Sequence, residues 1–238
     1  MKLKREGMKI IQLGKSIDMG GKAGALNKLY CDFNIARGFI IKYDVFCDFL
    51  RLNHISLTDD IVRIKTEIMK GIFPQEKELL NYYKSHNFDK VIVRSSAFVE
   101  DGDKYSFAGQ FDSFTNTDID TLILNIKKCW VSMFHDHVIA YLESNHLEHD
   151  FSFDVLIQEM ILSDLSGIAF SVNPTNGREE QVIHLTDLQC EELVSGRVIP
   201  HMYTITNEIC GDEFIGEDIL KVIAESLQKL KNILKKDV

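Results

Sequence analysis

Apolar positions along the chain switch repeatedly between a period of about two and a period of about 3.6, which predicts alternating strands and helices. Short β-branched runs predict strands at residues 8–13, 38–41, 90–94, 153–158, 167–172 and 181–185. Helical spacing predicts helices at 22–33 and 43–52, and at 58–70, where Ile61, Ile64 and Ile68 recur on one face. One long amphipathic helix is expected from Ile119 to Leu142 around Leu122, Ile126, Trp130 and Phe134. A last helix, from Asp218 to Lys236, would carry Ile219, Val222, Ile223, Leu227, Leu230 and Leu234 as one stripe. This alternation favours mixed α and β structure over a helical bundle. With only three prolines and no low-complexity run, repeat or Gly/Ser-rich stretch, no flexible tether divides the chain.

Composition changes the picture mainly by exclusion. A chain of 238 residues, 45% hydrophobic and 26% charged, suffices for one large domain or two small lobes. A net charge of −9 disfavours nucleic acid and anionic membranes as partners, since either calls for a basic surface. Any anionic ligand must therefore be held by local cations. The five cysteines, 31, 47, 129, 190 and 210, are widely spaced and form no C-x-x-C pair, so neither a disulfide framework nor a zinc site is suggested. With no signal-length or membrane-length apolar run, the expected setting is the cytoplasm. His135, His137, His146 and His149 invite a metal reading, but on the expected helix His135 and His137 point to different faces and no cysteine joins them. Trp130 and Phe134 are assigned to the core.

Three segments carry candidate chemistry. G-G-K-A-G-A-L, Gly20 to Leu26, sets glycines and Lys22 ahead of a helix, where close-approaching amides, the helix dipole and a point charge suit phosphate oxygens. The same letters describe a glycine turn with a solvated lysine, and the Walker spacing is absent, which disfavours a P-loop kinase. V-I-V-R-S-S-A-F-V-E-D, residues 91–101, drives a strand into Arg94 and two hydroxyls, a fixed guanidinium at a sheet edge. Arg94 could equally pair with Glu100 or Asp101. S-F-A-G-Q-F-D-S-F, Ser106 to Phe114, offers a close-approach loop around Gly109 with polar groups at Gln110, Asp112 and Ser113.

Together these segments resemble the N-terminal nucleotide-binding domain of phosphoenolpyruvate synthase and pyruvate phosphate dikinase. Antibiotic phosphotransferases and glucan, water dikinases share that architecture. The resemblance continues through V-L-I-Q-E-M-I at 155–161, S-G-I-A-F-S-V-N-P-T-N-G at 166–177 and E-E-L-V-S-G-R-V-I-P at 191–200, so order and spacing hold over residues 20–200. It implies an α+β ATP-grasp fold with ATP between two lobes, here residues 1–157 and 158–238, the second incomplete. By the matching motifs, Gly20, Gly21, Lys22, Arg94 and Gly109 would serve the phosphates. Lys22 and Arg94 would carry the catalytic charge, and Ser113, where the family usually has threonine, would offer its hydroxyl. Gln158, Glu159, Met160 and Ile161 would meet the adenine.

The implied reaction is transfer of a phosphoryl group from ATP, with Mg2+, to a histidine on a separate domain and then to an acceptor. Pyruvate, an amide, a glucan and an antibiotic all remain open as acceptors. In the family the acidic magnesium ligands and a Q-x-R-P segment follow the last helix, so they are expected beyond the end of this chain. No T-x-G-G-x-x-x-H-like carrier segment surrounds any of the eight histidines. The chain therefore reads as part of a longer enzyme or a truncated relative, inactive alone, with phosphohistidine and substrate domains as partners. The alternative is a degenerate nucleotide sensor or interaction module. Its motivation is local: Leu188, Gln189, Cys190 and Glu191 stand where the family has G-L-G-E, and His201 replaces the aspartate of P-D-x-Y.

Overall fold

The computed structural model describes residues 10–15, 21–97, 110–145, 153–235 and 237–238. The chain divides into two compact units, Met1–Met160 and Ile161–Val238. Each is α+β with its own antiparallel sheet.

The first unit runs β1 (Ile10–Gln12), α1 (Gly21–Leu29), β2 (Gly38–Ile41), α2 (Tyr43–Leu52), α3 (Ile61–Lys70), α4 (Glu76–Ser85), β3 (Val91–Ala97), β4 (Ser113–Thr117), α5 (Leu122–Val131), α6 (Asp136–Ser144) and β5 (Phe153–Glu159). Its sheet has the order β1-β2-β5-β3-β4, so β5, last in the unit, is inserted at the centre beside β3. Alternation along the strands separates two faces. Phe39, Val91, Val93, Val155 and Ile157 point into the main core, where Phe46, Phe49, Ile64, Ile68 and Trp130 are buried on or beside the helices. Phe73 and Trp130 stack there with centroids 5.4 Å apart. The opposite face holds a smaller cluster, Leu13, Ala23, Ile40 and Leu156, through which α1 covers part of the sheet.

The second unit comprises β6 (Ser166–Phe170), β7 (Gln181–Thr186), α7 (Cys190–Val194), β8 (His201–Ile205), β9 (Ile209–Gly211) and α8 (Glu217–Leu234), with strand order β6-β7-β8-β9. Its core is small: Ile183, Leu185 and Tyr203 from the sheet against Leu220 and Leu227 of α8.

Several elements differ from the sequence pattern for identifiable reasons. The helix expected from Ile119 to Leu142 is broken: α5 ends at Val131, a 3-10 turn covers Ser132–Phe134, and His135 is extended (φ −67°, ψ 143°) before α6 starts. Ser132 is buried and donates its hydroxyl to the Cys129 carbonyl at 2.7 Å, a local bond that competes with helix continuation. The strand at 90–94 continues to Ala97, because the small residues Ser95, Ser96 and Ala97 go on pairing with β5. In α8, Ile219 and Val222 are exposed while Leu220 is buried, so the apolar stripe is rotated from the expected one. No helix among the described residues is long and apolar enough to cross a membrane.

Candidate functional site

The register of the first sheet sets Ile11, Ile40, Leu156, Arg94 and Ser113 side by side across all five strands. Directly opposed residues share a face, so this row begins apolar near α1 and ends polar at the edge strand β4. Ile40 and Leu156 are fully buried, Arg94 is half-buried and Ser113 is exposed. Arg94 and Ser113, singled out separately from the sequence, are thus direct cross-strand neighbours. Two residues along β3, Ser96 lies on the same face opposite the buried Asp154.

Helix α1 brings Lys22 to this place. Its first turn is fixed by β3: the Ala23 amide donates to Ser96 Oγ at 3.0 Å, so a serine 73 residues away satisfies one of the amides a helix start leaves open. Lys22 Nζ lies 3.5 Å from Ser95 Oγ, which is next to Arg94 in β3 but, opposite Val155, on the other side of the pleat. Gly21 has φ +62°, and a Cβ there would sit 2.4 Å from the Ala97 carbonyl oxygen. Glycine is needed at this position both for its backbone angle and for the close approach of α1 to β3. Gly20, Gly109, Glu100 and Asp101 lie outside the described residues, as does the alternative ion pair of Arg94 with either acid.

Sequence reasoning missed a second charged element on the same face. Asp154 is fully buried and accepts from the Tyr43 amide at 2.9 Å and from Lys42 Nζ. It anchors the start of α2 next to Ser96. A lone D in F-D-V-L-I-Q and a lone K in I-I-K-Y give no sequence signal, because their partnership exists only through the β2–β5 pairing.

Two to four residues beyond Leu156, about 7–13 Å at the rise of a strand, come Gln158 and Glu159 at the end of β5 and then Met160. Gln158 is on the Arg94 face, and its side chain donates to the Ala36 carbonyl at 3.2 Å. The Glu159 amide donates to Arg37 O at 2.8 Å and the Met160 amide to Lys90 O at 2.9 Å, so both donors serve the unit itself. The Glu159 carboxylate takes both ends of the Arg37 guanidinium, at 2.9 and 2.6 Å. That hydrogen bonding, ahead of the charge attraction, holds the Glu159 pKa below the usual carboxylate range. Ile161, the first residue of the second unit, is exposed.

In the second unit, the replaced G-L-G-E segment needs no glycine. Leu188, at the first glycine position, is not among the positive-φ residues, and Cys190, at the second, is helical. His201 stacks on Phe214 with centroids 3.8 Å apart and faces Asp212 at 3.1 Å. Among the described residues no three His, Cys, Asp or Glu side chains come together as a metal-holding group.

The first unit therefore gathers a lysine, an arginine and hydroxyls along β3 beside the start of a helix, groups of the kind that suit an anion. Comparison with known proteins identifies the class. Residues 17–234 match the family described as pyruvate phosphate dikinase, AMP/ATP-binding domain, and the chain belongs to that family, as the nucleotide-binding domain of the phosphoenolpyruvate synthase and pyruvate phosphate dikinase group. It is similar to a probable phosphoenolpyruvate synthase of Methanothermobacter thermautotrophicus, 35% identical over 48% of this chain and 17% of the relative. It also resembles the uncharacterized phosphotransferase YvkC of Bacillus subtilis, 31% identical over 79% of this chain and 24% of the relative. A rifampicin phosphotransferase of Bacillus cereus is 35% identical over 61% of this chain and 17% of the relative. The chain thus spans between about a sixth and a quarter of the length of these curated relatives.

Proposed function

We propose that the first unit holds the phosphates of ATP with Lys22 and Arg94, on an ATP-grasp fold, within a dikinase-type phosphotransferase. The observation that carries this reading is the meeting at β3: Arg94 stands opposite Ser113, α1 is fastened to Ser96 on the same face, and Lys22 reaches Ser95, next to Arg94 in the strand. The two cations offset charge on the terminal phosphates, and the Ser113 hydroxyl donates to a phosphate oxygen. Gly20, Gly21 and Gly109 admit the phosphates closely. Gln158, Glu159, Met160 and Ile161 serve the adenine end. Met160 and Ile161 supply apolar contact, and carbonyl groups supply the polar edge, because the Glu159 and Met160 amides are already engaged.

Phosphoryl transfer asks a protein mainly for positioning and charge neutralisation. A histidine nitrogen on a domain outside this chain would bond to phosphorus as the bond from phosphorus to the departing phosphate oxygen breaks, the electron pair leaving with that oxygen. Lys22 and Arg94 stabilise the charge that moves there. The phosphohistidine then passes its group to a small acceptor. Magnesium would arrive on the nucleotide phosphates and add positive charge there; among the described residues no three His, Cys, Asp or Glu side chains group together to hold it.

A hydrogen bond to a charged group contributes roughly 1.5–3 kcal/mol, and each 1.4 kcal/mol is about tenfold in affinity. Arg94→Ala and Lys22→Ala should each weaken ATP binding by about ten- to a hundredfold while changing AMP binding much less, as read by titration calorimetry. A lowered melting temperature with an unchanged ratio of ATP to AMP affinity, in both variants, would refute the assignment.

A further inference from the structure

The break between α5 and α6 does more than interrupt a helix. It sets the His135 and His137 rings nearly parallel, with centroids 5.4 Å apart, instead of on separate faces. Both rings address the segment that leads into β4. His137 Nε2 is 2.9 Å from the Gln110 carbonyl oxygen, and since a carbonyl only accepts, that nitrogen carries the proton. His135 Nε2 is 2.9 Å from Asp112 Oδ2. From α5, Cys129 Sγ adds a weak contact to the Asp112 carbonyl at 4.0 Å. The next residue is Ser113, opposite Arg94.

The sheet holds Ser113 from one side. Ser113 is the first residue of β4, an edge strand for which β3 is the one partner among the described residues; the pairing is regular at Ser113 and Phe114 and shifts only beyond them, between Val93 and Val91. Asn116, inside β4, has φ +52°. The place of the Ser113 hydroxyl therefore depends on the Gln110–Asp112 segment, held by the helix break, as well as on the ladder.

We propose that His135 and His137 are positioning residues for the phosphate site, fixing Gln110–Ser113 so that the Ser113 hydroxyl is aligned with Arg94. This rests on the phosphate reading of Arg94 above. Both histidines act through donation from Nε2, which a glutamine amide can reproduce and an alanine cannot.

The test measures ATP and AMP affinity and melting temperature on the full chain. Replacing both histidines by alanine should weaken ATP binding about tenfold, the value of one well-placed hydrogen bond to a charged partner, and leave AMP binding nearly unchanged. His135→Gln with His137→Gln should restore most of it. Adding Ser113→Ala to the double alanine variant should cost little more, because the hydroxyl is already displaced, whereas Ser113→Ala alone should cost the full amount. Full additivity of these losses would overturn the proposal. So would ATP affinity unchanged by the double alanine replacement while Arg94→Ala weakens it. If Arg94→Ala itself leaves ATP binding intact, the phosphate reading fails first. Should the double alanine variant not fold, the glutamine pair decides alone: parental affinity supports donation from these positions, and a tenfold loss in a folded glutamine protein overturns it.

Discussion

At the scale of single residues, the site depends on how α1 is fastened to β3. Gly21 carries a positive φ and stands where any Cβ would meet the Ala97 carbonyl oxygen, while Ser96 accepts from the Ala23 amide. Gly21→Ala combines backbone strain with a clash against main-chain atoms that cannot swing away, and should destabilise the first unit by about 1–3 kcal/mol. Ser96→Ala removes the acceptor of a buried amide and should cost about 1–3 kcal/mol. Both variants should also lose ATP affinity, because Lys22 follows Gly21 and leaves with it. Urea unfolding followed by Trp130 fluorescence checks the first effect, and calorimetry the second. Unchanged stability in Gly21→Ala would mean that α1 is not fastened where its contacts put it.

At the scale of elements, how well each was legible in the sequence depends on whether its contacts are local. The strand at 38–41 and the helix at 43–52 fall where the pattern puts them, since G-F-I-I is buried throughout and Val45, Phe46, Phe49 and Leu50 repeat at helical spacing. α3 is also marked locally, by Asp60 accepting from the Val62 and Arg63 amides. α4 gave little signal because only Leu79 and Tyr83 are buried among its ten residues. β8 and β9 escaped because they are short and largely half-exposed. For the site, Lys22, Arg94 and Ser113 stood in contiguous motifs. Ser96, Asp154, Lys42, His135 and His137 did not, since each works with a partner brought near only by the fold.

Asp118 offers a pH test at this scale, because it joins the start of β3 to the start of α5. It accepts from Lys90 Nζ at 2.8 Å, from Thr121 Oγ1 at 2.6 Å and from the Thr121 amide at 3.0 Å. The Lys90 hydrogen bond first, then those of Thr121, hold its carboxyl well below the usual aspartate range. A depressed folded pKa contributes stability that is present above the unfolded value, about 3.9, and is lost as pH falls toward the folded one. Asp118→Asn should therefore lower stability at pH 7 and flatten its decline below about pH 4. An acid-unfolding slope identical to the parent's would show that these bonds do not persist in solution.

At the scale of the whole molecule, the two units differ in how much core they own. The first buries an aromatic and aliphatic cluster over several helices and one side of its sheet, while the second, Ile161–Val238, relies mainly on Ile183, Leu185, Tyr203, Leu220 and Leu227. A unit of under 80 residues with so small a core is expected to be the less stable one. The chain provides its own reporter, because the single tryptophan, Trp130, is buried in the first unit. Leu227 is nearly fully buried, so Leu227→Ala should cost the second unit about 2–5 kcal/mol through lost burial and the cavity left behind. In urea, far-ultraviolet circular dichroism, which sees both units, should show an early component that moves to lower denaturant in this variant. Trp130 fluorescence should keep its midpoint. Saturating ATP should raise the fluorescence midpoint, since a ligand held by Lys22 and Arg94 stabilises the unit that carries them. If Leu227→Ala instead shifts both signals by the same amount, the units unfold as one body and the smaller core is stabilised by the larger.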